Sequence, residues 1–158
     1  MLRRIDLSPF SLGEWREGSG TPLGRSHGRA GARRWWKQNV PELARQHLVA
    51  AVDLVGFGRN RRFTASSVLP AFDDISALLA RWIEMTFDDR VHLVGHSMGG
   101  QIAIHLAASR PDLLRSLILV NSTGIPFSFR PAPHLRHLSH PPRKAWSFAT
   151  VLVRDFLR

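Results

Sequence analysis

Apolar positions along this chain follow two periodicities that alternate with one another. Between Pro70 and Thr86, the residues Phe72, Ile75, Leu79, Trp82 and Met85 recur at spacings of three and four, with Asp73, Asp74 and Glu84 between them. That spacing predicts an amphipathic helix with those five side chains on its buried face. Short apolar runs stand on either side of it. The segment from His47 to Leu54, the run Val91-His92-Leu93-Val94 and the run Leu117-Ile118-Leu119-Val120 each predict a buried strand. Thr21 to Gly28 occupies the place of another, although Gly24, Arg25 and Ser26 are poor strand residues. Residues 33–46 read as helix in two pieces, because Pro41 suits the first turn of a helix and not its interior. Ile102, Ala103, Leu106 and Ala107 give Gln101 to Ser109 an apolar stripe, closed by Pro111. At the N-terminus, Ile5-Asp6-Leu7 and Ser11 to Arg16 alternate loosely ahead of the turn Glu17-Gly18-Ser19-Gly20, a pattern that suits a β-hairpin. Strands separated by helices need right-handed crossovers. The expected class is therefore α/β, a mostly parallel sheet flanked by helices.

Composition narrows this picture without changing it. The chain has 158 residues, 44% hydrophobic and 22% charged, which suits one folded domain with a real core. It has no cysteine, which rules out a disulfide framework and a thiolate metal site. No apolar run has the length of a transmembrane helix, and Met1 to Asp6 does not lead into a signal-peptide core, so the expected location is cytoplasmic. The net charge is +10, but all the basic residues except Lys37 and Lys144 are arginines scattered along the chain. Without a basic stripe and aromatic platforms, that charge does not predict a nucleic-acid partner.

The candidate chemistry sits where the run at Val91 meets Gly95-His96-Ser97-Met98-Gly99-Gly100. Here the G-x-S-x-G pattern stands between a predicted strand and a predicted helix. A serine on so tight a turn has strained backbone angles and an exposed hydroxyl, and glycines two residues either way avoid the resulting clash. The start of the following helix points free N–H groups at any anion formed there.

These residues resemble the α/β-hydrolase fold superfamily, in its serine hydrolase branch. His27-Gly28 looks like the family's oxyanion loop after the third strand. The stretch from Asp53 to Gly58 looks like its Asp-x-x-Gly-x-Gly turn after the fourth, Gly95 to Gly100 like its nucleophile elbow after the fifth, and Leu117 to Asn121 like its sixth strand. The resemblance covers about residues 5 to 125, and the elbow is its most specific part. It implies that Ser97 is the nucleophile of a carboxylic ester or related acyl substrate, reacting through an acyl-enzyme. It also implies that the backbone N–H groups of Met98 and Arg29 form the oxyanion hole, supported by His27, Gly28, Gly95, His96, Gly99 and Gly100. Carbon–carbon bond hydrolysis and perhydrolysis are variants of the same chemistry. The small-molecule substrate needs no cofactor or metal.

The family draws its triad acid from the end of a seventh or sixth strand, and its histidine from after an eighth. At the sixth-strand end this chain has Asn121, which carries no charge, and two more strand–helix units would take at least about 60 residues. The expected fold is thus a C-terminally truncated α/β-hydrolase: residues 1–125 a partial core, 126–158 the start of a lid or an irregular tail, with the triad acid and histidine unassigned. A catalytically inactive, fold-keeping fragment or binding module is the alternative to an enzyme, and a fragment that does not fold stably is a third reading. An exposed sheet edge would allow self-association.

Other residues have plainer readings. His134, His137 and His140 repeat every third position among prolines, which favours a polar loop over a metal site or a catalytic base. His96 reads as a packing residue of the elbow, and His92 and His105 as ordinary strand and helix residues. Trp35 and Trp36 suit an acyl pocket and simple packing equally. Asp53 reads as holding its own glycine turn through side-chain hydrogen bonds. Lys144 to Leu157 has the apolar surface of a helix too short to span a membrane.

Overall fold

The computed structural model describes residues 1–7, 10–29, 31–58, 60 and 71–124. The expected tail or lid at 126–158, the helix from Lys144 and the histidine repeat at 134, 137 and 140 lie outside the described residues.

Six strands form one sheet: β1 (Leu2–Leu7), β2 (Phe10–Glu17), β3 (Thr21–Ser26), β4 (His47–Val52), β5 (Val91–His96) and β6 (Leu114–Val120). Their order across the sheet is β1-β2-β4-β3-β5-β6. β1 and β2 form the expected antiparallel hairpin, and β2 also runs antiparallel to β4. The pairs β3/β4, β3/β5 and β5/β6 are parallel. Among the described residues the connections hold α1 (Val40–Leu43), α2 (Phe72–Thr86) and α3 (Met98–Ser109), with a short 3-10 helix at Arg33–Trp36 ahead of α1. Pro41 stands in the first turn of α1, as its missing N–H demands.

The helices cover the two faces of the sheet unequally. Ile75, Leu79, Trp82 and Ile83 of α2 pack with Ile102, Ala103 and Leu106 of α3 against Ala50, Val52 and Leu93, forming the larger core. Trp36 and Val40 pack on the other face against Leu23, Val49, Ala51 and Val94. Strand alternation accounts for the split, since neighbours in each strand point to opposite faces.

The three poor strand residues of β3 each meet a specific partner. Gly24 lies under Trp82, where a Cβ would come within 3.3 Å of the indole ring. The Arg25 guanidinium stacks 4.0 Å above the Trp36 ring on the opposite face. Ser26 donates its hydroxyl hydrogen to the Gly99 carbonyl at 3.1 Å. β3 is central because its neighbours fit these side chains, not because the side chains favour a strand.

Two expectations need correction. Phe72 and Met85 were placed on the buried face of α2, yet they are 37% and 54% exposed. Phe72 opens the helix and stacks on His105 of α3, while Met85 projects off the face that Trp82, Ile83 and Thr86 bury. β6 was expected to be buried, yet Ile118 and Val120 are 47% and 40% exposed. β6 is the edge strand of the described sheet, and its register places Ile118 beside Val94 and Val120 beside His96. That is the face on which the cover from Trp36 and Val40 reaches β4, β3 and β5 but not β6.

Candidate active site

The chain goes from β3 to β4 on one side, then crosses back to β5 on the other side of β3. The segments leaving β3 and β5 therefore depart over opposite faces. Strand ends from which the chain departs over opposite faces in this way are the place where open parallel sheets bind ligands. The segment leaving β3 carries His27 and Gly28, and the one leaving β5 carries Ser97.

Ser97 has φ 51° and ψ −119°. A left-handed φ on a residue with a Cβ is strained and persists only where surrounding bonds hold it. Here its N–H donates to the Val120 carbonyl at 3.1 Å, and its own carbonyl accepts from Gly100 at 3.0 Å, Gln101 at 3.2 Å and Thr123 at 3.2 Å. The turn is thus tied to α3 and to the segment after β6. Ser97 is half-buried, and Met98 begins α3, so the Met98 N–H is one of the helix's unpaired N-terminal donors. Gly95 closes β5 against Gly100 in the first turn of α3, and Gly99 packs on the end of β3.

Gly28 sits directly against this turn. A Cβ there would lie 2.9 Å from the Ser97 Cβ and 2.8 Å from His96 Nδ1, so only glycine fits. Arg29, next in the chain, is exposed. His27 is fully buried with both ring nitrogens engaged: Nδ1 lies 2.8 Å from the Gly28 carbonyl, and Nε2 accepts the Leu54 N–H at 3.0 Å. Those partners require the neutral ring with its proton on Nδ1. Burial pushes the His27 pKa down, which favours the same state.

Asp53 is also buried, and it reaches beyond its own turn. Its carboxylate accepts the backbone N–H of Arg33 at 2.7 Å and forms an ion pair with the Arg33 guanidinium. It lies against Gly58 of its own turn, while Arg33 reaches it from the loop after β3. His96 packs its ring 5.0 Å from Trp35 and edge-on to Trp36, and burial lowers its pKa. Trp36 is core and Trp35 is exposed beside His96.

His27, His92 and His105 and the buried carboxylates of Glu14 and Asp53 pair with groups other than the Ser97 hydroxyl, whereas His96 stacks beside Trp35 with its Nδ1 free of a hydrogen-bond partner. His92 Nδ1 pairs with Ser116 Oγ at 2.7 Å, and His105 Nδ1 pairs with Asp73 at 2.7 Å. Glu14 accepts from Trp82 Nε1 and Thr86 Oγ1, both at 2.8 Å. Asn121 follows β6 with φ 44° and is exposed. Among the described residues, no three His, Asp or Glu side chains gather as a metal site.

The family model described as alpha/beta hydrolase fold matches residues 26–151, most of the chain. The chain belongs to the α/β-hydrolase fold family. A (lyso)-N-acylphosphatidylethanolamine lipase of Bos taurus is 33% identical to it over 136 residues, covering 85% of this chain and 39% of the relative. A 2-hydroxy-6-oxo-2,4-heptadienoate hydrolase of Pseudomonas putida is 34% identical over 113 residues, covering 70% of this chain and 40% of the relative. The solved structure of a serine hydrolase involved in carbazole degradation superposes with a TM-score of 0.72 at 27% identity, over 79% of this chain and 49% of that one. The chain spans about two fifths of the length of the two curated relatives.

Two residues of this hydrolase-fold site escaped the sequence reading. Arg33 stands beside Arg34, and nothing in one dimension distinguishes the two as the partner of Asp53. Arg25 is buried on the central strand, with Nε and Nη1 lacking a hydrogen-bond partner. Desolvation pushes its pKa down to about 10, so it remains charged at neutral pH.

Proposed function

We propose that this chain carries the nucleophile and oxyanion hole of a serine hydrolase acting on a carboxylic ester or related acyl substrate. In this reading the Ser97 hydroxyl oxygen attacks the acyl carbon, and the carbonyl oxygen becomes an oxyanion held by the N–H groups of Met98 and Arg29. Collapse expels the leaving group, which departs as the alcohol with the proton given up by the Ser97 hydroxyl, and leaves an acyl-Ser97 ester. Water then attacks that ester, releasing the acid and restoring the hydroxyl.

The observation that carries the reading is the contact between Gly28 and Ser97, which brings together two segments nearly 70 residues apart at the switch point of the sheet. The strained φ of Ser97 and the start of α3 at Met98 add to it. Relatives named as a lipase and as hydrolases fit the same chemistry.

A second reading is a fold-keeping module without catalysis. It is favoured by the pairing of His27, His105 and Asp53 with other groups, which leaves the Ser97 proton without a described acceptor. Serine without a base is a poor nucleophile at neutral pH. Labelling with a fluorophosphonate probe separates the two readings. The catalytic reading expects label on Ser97 of the folded chain and none on Ser97→Ala. A folded chain that takes no label at Ser97 supports the module.

A further inference from the structure

The loop after β3 is held to the turn after β4 at both of its ends. At the first end, His27 Nε2 accepts the Leu54 N–H. At the second, Arg33 gives its backbone N–H and its guanidinium to the carboxylate of Asp53, the residue just before Leu54. Asp53 is itself fixed in two directions, since its N–H donates to the Gly13 carbonyl at 2.8 Å and its carbonyl accepts Asn60 Nδ2 at 2.6 Å. Both attachments therefore land on one short, immobilised piece of backbone at the middle of the sheet.

We propose that the buried Arg33–Asp53 ion pair is a positioning device for the oxyanion loop, setting the direction of the Arg29 N–H. The inference rests on the reading of that N–H as an oxyanion donor. The coupling runs through one planar peptide group. In a trans peptide the carbonyl of Gly28 and the N–H of Arg29 point in opposite directions, so fixing one fixes the other. The Gly28 carbonyl faces the His27 Nδ1–H at 2.8 Å and the Gly31 N–H at 3.0 Å. Gly31 lies two residues before Arg33, and its N–H keeps that place only while Arg33 is held. Loss of the ion pair frees the far end of the loop, lets the Gly28–Arg29 peptide rotate, and turns the donor away from Ser97.

A structural ion pair and a positioning one differ in what happens when both partners are removed. Taking away one partner leaves a buried unpaired charge and destabilises the fold. Replacing both with apolar residues restores much of the stability. The test compares the wild type, Asp53→Asn, Arg33→Lys and the double variant Arg33→Met with Asp53→Leu, by thermal unfolding, by the rate of fluorophosphonate labelling at Ser97 and by amide hydrogen exchange in the loop. Positioning expects the double variant to recover its unfolding midpoint yet label about 10²-fold more slowly, the loss typical of a misplaced donor. It also expects the Arg29 and Gly31 amides to exchange at least about tenfold faster while α2 and α3 keep their protection. Recovery of stability, labelling and loop protection together would overturn the proposal and leave the pair purely structural. If the wild type takes no label at all, the serine hydrolase reading falls, but exchange still decides the clamp: faster loop exchange in the double variant upholds it, and unchanged exchange refutes it.

Discussion

The two faces of the sheet are built from the same strands and differ in how far they are covered. Beneath α2 and α3 the packing is complete. Trp82 is 0% exposed, and the buried Glu14 carboxylate receives hydrogen bonds from Trp82 and Thr86. On the other face Trp36 and Val40 cover β4, β3 and Val94 of β5, while Ile118 and Val120 of β6 remain open. The Arg25, Trp36 and His96 side chains there keep buried nitrogens without partners. The first face carries the stability of the described fold. The second carries the unpartnered buried nitrogens of Arg25 and His96.

Substitutions can break this comparison, and the largest effect is expected under α2. Trp82→Ala should cost about 3–5 kcal/mol in chemical denaturation, because it opens a cavity and removes a donor from Glu14. A cost below about 1 kcal/mol would mean that this face is not the main core.

Acid should act next, through His27. Its pKa is lower folded than unfolded because burial disfavours the charged ring, so the unfolded chain binds the proton more readily. Stability is then whole above the ordinary value of 6.5 and falls as the pH drops below it towards the folded-state value. His96 is shifted in the same direction and adds to the slope. Unfolding midpoints measured from pH 7.5 down to 5 should decline, and His27→Gln should flatten the decline. The exposed carboxylates of Asp89 and Asp112 titrate below 3.8 and stay out of that window. A slope unchanged in His27→Gln would move the effect to another group.

Arg25→Met should raise stability by about 1 kcal/mol, since it removes a buried charge without an ionic partner at the cost of its stacking on Trp36. A loss of similar size would reveal an interaction that the geometry does not contain. Ile118→Ser should be the mildest change, within about 0.5 kcal/mol in the same assay. A larger loss would show that the open face is covered in solution.

Much of this was legible in one dimension, for identifiable reasons. The α2 helix, the elbow strand and the turn at Ser97 are local patterns, in which spacing alone decides which side chains share a face. β3 was harder to read. Its stability comes from Trp82, Trp36 and Gly99, which lie far from it in the chain, so the run Gly24-Arg25-Ser26 looked unsuited to a strand. Asp53 lies against its own turn as its local pattern suggests, and its second partner, Arg33, comes from 20 residues away, where no local pattern reaches. The exposure of Ile118 and Val120 depends on which strand lies at the edge. An apolar run carries no record of that.

Sequence alone determined the α/β class, the elbow and the candidate role of Ser97, because each follows from short-range periodicity and from the few residues that tolerate a strained turn. Tertiary structure decided the order of the strands, and with it the meeting of Gly28 and Ser97 at the switch point. It alone paired Arg33 with Asp53. Which of several arginines reaches a buried carboxylate depends on where two distant loops come to rest, and no local rule carries that information.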